Sequence, residues 1–167
     1  INYCWAKAYK RKTFKANREL LEMSTKDPLT GVYNRKNFDD AVDHWISLSK
    51  RYGHPFSLIL FDIDNFKAVN DTYGHIVGDR VLKDAASLIR QVIRETDVFA
   101  RWGGDEFAIL LPETNLQEAR KLAERLQDHI AENNPLRSPT EITCSFGVTQ
   151  YQEDDTKYSL LSRVDDL

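Results

Sequence analysis

Val98-Phe99-Ala100-Arg101-Trp102-Gly103-Gly104-Asp105-Glu106-Phe107-Ala108-Ile109-Leu110-Leu111 holds two short apolar runs, 98–102 and 107–111, on either side of a Gly-Gly pair. Glycine tolerates positive φ and puts no side chain over a turn, so the stretch predicts a β-hairpin with its tip at 103–104. Asp105 and Glu106 follow at once. Acids are poor strand formers, and two of them at a hairpin tip ask for a reason beyond the turn.

Outward from the hairpin, regular elements alternate. Phe56-Ser57-Leu58-Ile59-Leu60-Phe61 reads as a central strand buried on both faces and ending at Asp62. Before it, Asn34 caps a helix whose apolar face is Phe38, Ala41/Val42, Trp45, Leu48 and Tyr52, and Gly53 closes that helix. After it, Val77, Val81, Ala85, Leu88/Ile89 and Val92 recur at helical spacing. Beyond the hairpin, Thr114 and Gln117 suggest a capping box for a helix using Leu116, Ala119, Leu122/Ala123, Leu126 and Ile130, which stops at Asn133-Asn134-Pro135. Glu141 to Tyr151 reads as a last strand bent at Gly147. The order helix, strand, helix, strand, strand, helix, strand predicts an α/β fold with a central mixed, largely antiparallel sheet flanked by helices.

The 167 residues suffice for one compact domain and an appendage. A net charge of −3 gives no reason to expect a nucleic-acid polymer as partner, though a nucleotide can still be held by a metal, one cation and backbone amides. Cys4 and Cys144 read as two reduced thiols of a cytoplasmic protein. No apolar run reaches the ~18–20 residues that span a bilayer. The chain starts at Ile1 and is expected to be part of something longer. Residues 1–26 stand apart: Ala6-Lys7-Ala8-Tyr9-Lys10-Arg11-Lys12-Thr13-Phe14-Lys15 is basic, and no Gly or Pro precedes Pro28. This predicts an N-terminal linker helix, either solvated or a dimerising signalling helix. Its charge also suits a position just inside a membrane that a missing upstream region would cross.

Asp62 and Asp64 stand where the central strand leaves the core, a usual place for ligands in α/β sheets. Asp62 is expected to be partly desolvated and to need a cation; a plain strand-end aspartate capping the next turn is an equal reading. If the hairpin pairs beside this strand, Asp62, Asp105 and Glu106 converge, and the donors suit Mg²⁺ shared with a triphosphate. The polar segment between them, Asn65-Phe66-Lys67-Ala68-Val69-Asn70-Asp71-Thr72-Tyr73-Gly74-His75-Ile76-Val77-Gly78-Asp79, offers Lys67 to a phosphate. Asn70 and Asp79 supply an amide and a carboxylate, and a carboxylate matches the paired N1–H and N2–H donors of guanine. Taken singly, each of these is more often a surface or capping residue.

Together the motifs carry a resemblance. Arg101-Trp102-Gly103-Gly104-Asp105-Glu106-Phe107 is similar to the signature of GGDEF-family diguanylate cyclases. So are Phe61-Asp62-Ile63-Asp64-Asn65-Phe66-Lys67 with Asn70-Asp71, Tyr73-Gly74-His75 and Gly78-Asp79, and Asp27-Pro28-Leu29-Thr30-Gly31-Val32-Tyr33-Asn34-Arg35. The match runs from Asp27 onward, dividing the chain into a linker over 1–26 and a GGDEF domain over 27–167.

The resemblance implies a palm-like, ferredoxin-like nucleotidyl cyclase fold of bacterial signal transduction. Asp62, the Ile63 carbonyl and Asp105 would hold Mg²⁺ (or Mn²⁺), and Glu106 would be the second catalytic acid. Asn70 and Asp79 would read guanine. Phe66, Lys67 and neighbouring amides would meet the phosphates, and Gly103 and Gly104 would leave room for the nucleotide. The expected reaction joins two GTP molecules into cyclic di-GMP across a homodimer's two-fold axis. Arg94-Glu95-Thr96-Asp97 looks like the family's RxxD product-inhibition site, with Arg94 and Asp97 as its contacts. A cytoplasmic domain is implied, with inner-membrane anchoring open to the full-length protein. Family members usually continue beyond Leu160–Leu167 into a helix bearing Lys and Arg that contact the triphosphate, and this sequence stops short of those residues. A non-catalytic domain that senses GTP or cyclic di-GMP is the alternative reading.

Overall fold

The computed structural model describes residues 25–133 and 143–165. The expected linker helix therefore lies outside the described residues except for its last two positions, as do Cys4, Glu141 and Ile142. A two-residue strand β1 (Tyr33–Asn34) leads into α1 (Arg35–Tyr52), β2 (Phe56–Ile63), α2 (Phe66–Tyr73) and α3 (His75–Val92). There follow β3 (Val98–Gly103), β4 (Glu106–Pro112), α4 (Leu116–Glu132), β5 (Cys144–Gln150) and α5 (Lys157–Asp165). The strands form one sheet in the order β1-β3-β4-β2-β5. Only β1 and β3 pair in parallel, so the sheet is mixed and largely antiparallel, as the sequence predicts.

Both faces of the sheet are covered. One face sends Ile59, Phe61, Ile63 and Phe107 against Val81, Ala85 and Ile89 of α3 and against Ala119, Ala123 and Leu126 of α4. The other packs Phe56, Leu58, Ala108 and Leu110 against Phe38, Val42 and Ile46 of α1 and Leu160 of α5. This explains the unbroken apolar run of β2, whose alternate residues serve different cores. Across the sheet Phe61 stacks between Phe107 and Phe146, at centroid distances of 5.3 and 4.8 Å. Each such ring contributes roughly 1.5–3 kcal/mol by leaving water. The strand end that carries Asp62 is thus fixed by a stiff aromatic row.

Several local expectations are corrected. In α1 the inward stripe is Phe38, Val42, Ile46 and Ser49. Leu48 falls to its flank and Tyr52, in the last turn, overhangs solvent, because helical phase rather than side-chain size decides burial. Ser49 is tolerated inside because its hydroxyl donates to the His54 carbonyl at 2.5 Å. The capping box sits one residue later than expected. Asn115 accepts from the Glu118 amide at 3.0 Å while Glu118 reaches back to the Asn115 amide at 3.2 Å. Thr114 instead donates to the Pro112 carbonyl at 2.8 Å, turning the chain before the helix starts.

Three elements escaped the periodicity reading. Strand β1 is too short to show alternation. Helix α2 is short, half of its eight residues are polar and it buries only Val69; it is ended by Gly74 at φ +84°. Helix α5 turns Leu160 and Val164 inward. Its seat explains Gly147, where β5 continues pairing with β2 without a shift. A Cβ at Gly147 would stand 2.6 Å from the Val164 carbonyl oxygen, so this glycine serves close packing rather than the expected bend.

Candidate active site

Antiparallel pairing decides the geometry. Asp62 stands directly opposite Glu106 on β4 and opposite Ser145 on β5, so Glu106, Asp62 and Ser145 form one row across the sheet. The hairpin does pair beside the strand ending in Asp62, with a register irregularity between Arg101 and Gly103 just before its tip. Gly104 alone of the pair takes positive φ, at +43°. Gly103 does not, and a Cβ there would make an ordinary 3.7 Å contact with Glu106. The fold by itself therefore tolerates a side chain at 103.

Beside this row opens a cleft of about 350 Å³ bordered by Asp62, Trp102, Glu106, Ser145, Leu161 and Val164. Helix α5 forms one wall. Among the described residues its lining holds two acids and no Lys or Arg.

The electrostatics are unbalanced on one side. Burial of its base, then the charges of Asp64 and Asp105, push the Asp62 carboxyl above its ordinary range. The same acids act on the thiol of Cys144, which burial first and then Asp64 and Asp62 push up to about 12. Cys144 is free and buried, hence an inert thiol at neutral pH. Asp64 is differently placed, its oxygens accepting from Thr143 Oγ1 at 2.5 Å and Ser145 Oγ at 2.6 Å.

Among the described residues no three His, Cys, Asp or Glu side chains close into a metal cage. Mg²⁺ takes one or two carboxylates and completes its shell with water and substrate phosphates. Asp62, whose carboxyl is pushed up, and Asp105 beside it have no cationic partner among the described residues and supply that kind of donor set.

The hairpin tip is held by a residue that sequence reasoning quoted but gave no job. Arg101 donates to the Gly104 carbonyl through Nε at 2.9 Å and Nη2 at 2.6 Å, and its Nη1 lies 3.3 Å from Asp27. Asp27 also accepts from the amide and hydroxyl of Thr30, at 2.8 and 2.7 Å. Against the cost of burial, those hydrogen bonds and Arg101 hold the Asp27 carboxyl below its ordinary range. One guanidinium thus ties the turn at the start of the domain to the backbone beside Asp105.

Residues 66–79 fold as two consecutive helices. Asn70 on α2 lies against the bare α-carbon of Gly78 on α3. A Cβ at Gly78 would meet Asn70 Oδ1 at 2.0 Å and Phe66 Cζ at 3.2 Å. Asp79 follows Gly78 on α3, and Lys67 is exposed on α2. Arg94 and Asp97 lie elsewhere, on the turn between α3 and β3. The Arg94 amide donates to Asp97 Oδ2 at 2.8 Å, so one oxygen of this buried carboxylate closes the turn. Burial, opposed by that bond, raises its pKa. The exposed Arg94 side chain borders a hollow that also contains Lys121 and Arg125, cations the sequence reading did not assign.

Comparison with known proteins agrees with this geometry. The family profile described as "Diguanylate cyclase, GGDEF domain" matches residues 24–167. Diguanylate cyclase DgcP of Pseudomonas aeruginosa is 39% identical over 142 residues, covering 83% of this chain and 21% of its own length. The response regulator PleD of Caulobacter vibrioides is 37% identical over 152 residues, covering 87% of this chain and 33% of its own. The chain thus spans a fifth to a third of these relatives. Among solved structures, the coiled coil and GGDEF domain of DgcB from Caulobacter crescentus in complex with c-di-GMP superposes with a TM-score of 0.89 at 28% identity. It covers 98% of this chain and 88% of that one. Diguanylate cyclase SiaD of Pseudomonas aeruginosa, in complex with its activator SiaC, gives 0.81 at 38% identity over 96% of this chain and 63% of SiaD.

Proposed function

The chain belongs to the GGDEF diguanylate cyclase family, and from that premise we propose that it condenses two GTP molecules into cyclic di-GMP with release of two pyrophosphates. The observation that carries this reading is the row of Glu106 and Asp62 bordering the cleft, with Asp105 close to Asp62 and no cation of the described residues in the lining. Structural acids acquire partners; among the described residues these have no cationic one.

In the proposed reaction the 3′-oxygen of one GTP attacks the α-phosphorus of the other. The bond to the bridging oxygen breaks, pyrophosphate leaves, and Glu106 accepts the 3′-hydroxyl proton. Asp62, the Ile63 carbonyl and Asp105 would hold Mg²⁺ or Mn²⁺, whose chemistry here is to neutralise the triphosphate and favour the leaving group. Asn70, pinned by Gly78, and Asp79 read the guanine edge, while Lys67 and amides near Phe66 meet phosphate. The bareness of Gly103, which the fold does not require, is left for the nucleotide.

Each domain presents one GTP, so catalysis needs a homodimer, and residues 1–26 are read as the linker that brings two domains 27–167 together. Arg94 and Asp97 form a product-inhibition site. In support, DgcB is described in complex with c-di-GMP. Among the described residues no helix is long and apolar enough to cross a membrane.

The test is to incubate the full-length protein with GTP and Mg²⁺ and to analyse the products by mass spectrometry. Cyclic di-GMP is expected, and it should vanish when the protein is diluted to monomer. GTP binding without product at any protein concentration would overturn catalysis in favour of a sensing domain. The intact set Asp62, Asp105 and Glu106 favours catalysis, because a sensor has no use for all three.

A further inference from the structure

The proposed reaction leaves Asp64 unused, although it stands two residues from Asp62 on the same side of β2. Each of its carboxylate oxygens already accepts a short hydroxyl bond, Oδ2 from Thr143 and Oδ1 from Ser145. Its amide donates to the Thr143 carbonyl at 2.9 Å, so backbone and side chain both hold Thr143, the residue before β5, and the side chain also holds Ser145 of β5. Immediately afterwards Asn65 adopts a left-handed conformation, φ 56° and ψ 23°, and makes no side-chain cap for α2. Asparagine is one of the few non-glycine residues that adopt this backbone readily, so it suits a tight turn here, immediately after the Asp64 contacts.

We propose that Asp64 is a positioning residue that latches the turn between β2 and α2 onto the start of β5, fixing the backbone of residues 63–67 in the shape that receives the nucleotide's phosphates. The inference rests on the reading of this corner as a GTP site. In this proposal Asp64 acts through Thr143 and Ser145 rather than as a ligand of the cation, each of its oxygens already accepting one hydroxyl bond. Ser145 is also the cross-strand neighbour of Asp62, so one latch sets the turn and the edge of the cleft together.

The experiment compares Asp64→Ala, Asp64→Asn and the double variant Thr143→Val/Ser145→Ala. The double variant removes the hydroxyl donors and keeps the carboxylate. Two readouts are taken on the full-length protein: hydrogen exchange of the amides of residues 64–67 without nucleotide, and affinity for a non-hydrolysable GTP analogue at saturating Mg²⁺. Asp64→Ala and the double variant are both expected to speed exchange and to weaken analogue binding on the order of tenfold. Asp64→Asn, which retains one acceptor, should fall between them and the parent. Half-saturation by Mg²⁺ at saturating analogue should be unchanged in the double variant.

Parent-like exchange in Asp64→Ala would overturn the latch. So would a double variant that binds the analogue normally while Asp64→Ala raises the Mg²⁺ requirement, which would make Asp64 a metal ligand. A parent protein that fails to bind the analogue would instead count against the GTP reading, and the exchange data would still decide the latch.

Discussion

Two acidic corners of this molecule share a composition and behave oppositely. At the cleft, Asp62 is surrounded by Asp64, Asp105 and Glu106, and its carboxyl is pushed up. At the foot of α5, Asp155 is 7% exposed and grips Arg163 through both oxygens, at 2.5 and 2.6 Å. It also accepts from the Gln152 amide at 2.8 Å and the Ser159 hydroxyl at 2.9 Å. Burial opposes its charge, yet Arg163 and these bonds hold its carboxyl below the ordinary range. The second corner is self-sufficient and builds structure. The first is incomplete, and an incomplete corner is where a ligand belongs.

Exchanging a carboxylate for its amide at each corner should break the comparison in opposite directions. Glu106→Gln is expected to cut cyclic di-GMP formation by on the order of 10²–10⁴-fold, as loss of a general base does, without lowering the melting temperature. Retained turnover would remove Glu106 from the proton transfer. Asp155→Ala should cost about 2–3 kcal/mol of stability, measured by urea unfolding, because it strands Arg163 and the Gln152 amide. A variant as stable as the parent would show the clasp to be dispensable.

Acid sharpens the contrast. A carboxyl lowered by folding stabilises fully above its unfolded pKa, and that contribution disappears as pH falls through the lower folded value. Asp155 and Asp27 are both of this kind, so stability should decline as pH drops below the ordinary carboxylate range. Asp155→Asn should flatten that decline in melting curves taken from pH 7 downward; an unchanged slope would assign the acid sensitivity elsewhere.

The glycines divide likewise. Gly147→Ala drives a methyl into the Val164 carbonyl and should cost roughly 1–3 kcal/mol, seen as unseating of α5 in thermal unfolding. Gly78→Ala displaces a side chain instead of backbone, so its main effect should be on Asn70. About tenfold weaker GTP binding and a smaller preference over ATP are expected, with the fold intact. Unaltered nucleotide preference would take Asn70 out of base recognition. The smallest change is expected from Arg94→Ala, which should leave the uninhibited rate alone and raise the cyclic di-GMP needed for half-inhibition about tenfold.

Much of this was legible from residue order. The Gly-Gly hairpin, the apolar run ending at Asp62 and the cap at Asn34 each depend on neighbours within a few positions, and each appears where the chain predicts it. The candidate acids were legible too, because an acid at a strand end or hairpin tip stands out locally. Helix α2 was not, since its eight residues are half polar and bury only Val69, and it packs on α3 without an apolar stripe of its own. Arg101 and Ser145 escaped for another reason. An arginine before a turn and a serine in a strand are unremarkable until their partners, Gly104 with Asp27 and Asp64, are brought up from elsewhere in the chain.

The sequence by itself determined the family, the alternation of elements and the identity of the acids, because hydrophobic period, turn chemistry and motif order are properties of nearby residues. Tertiary structure alone decided that Asp62 faces Glu106 and Ser145, that Asp64 is occupied while Asp62 is not, and that Asn70 rests on Gly78. Those facts follow from strand register and helix packing across tens of residues.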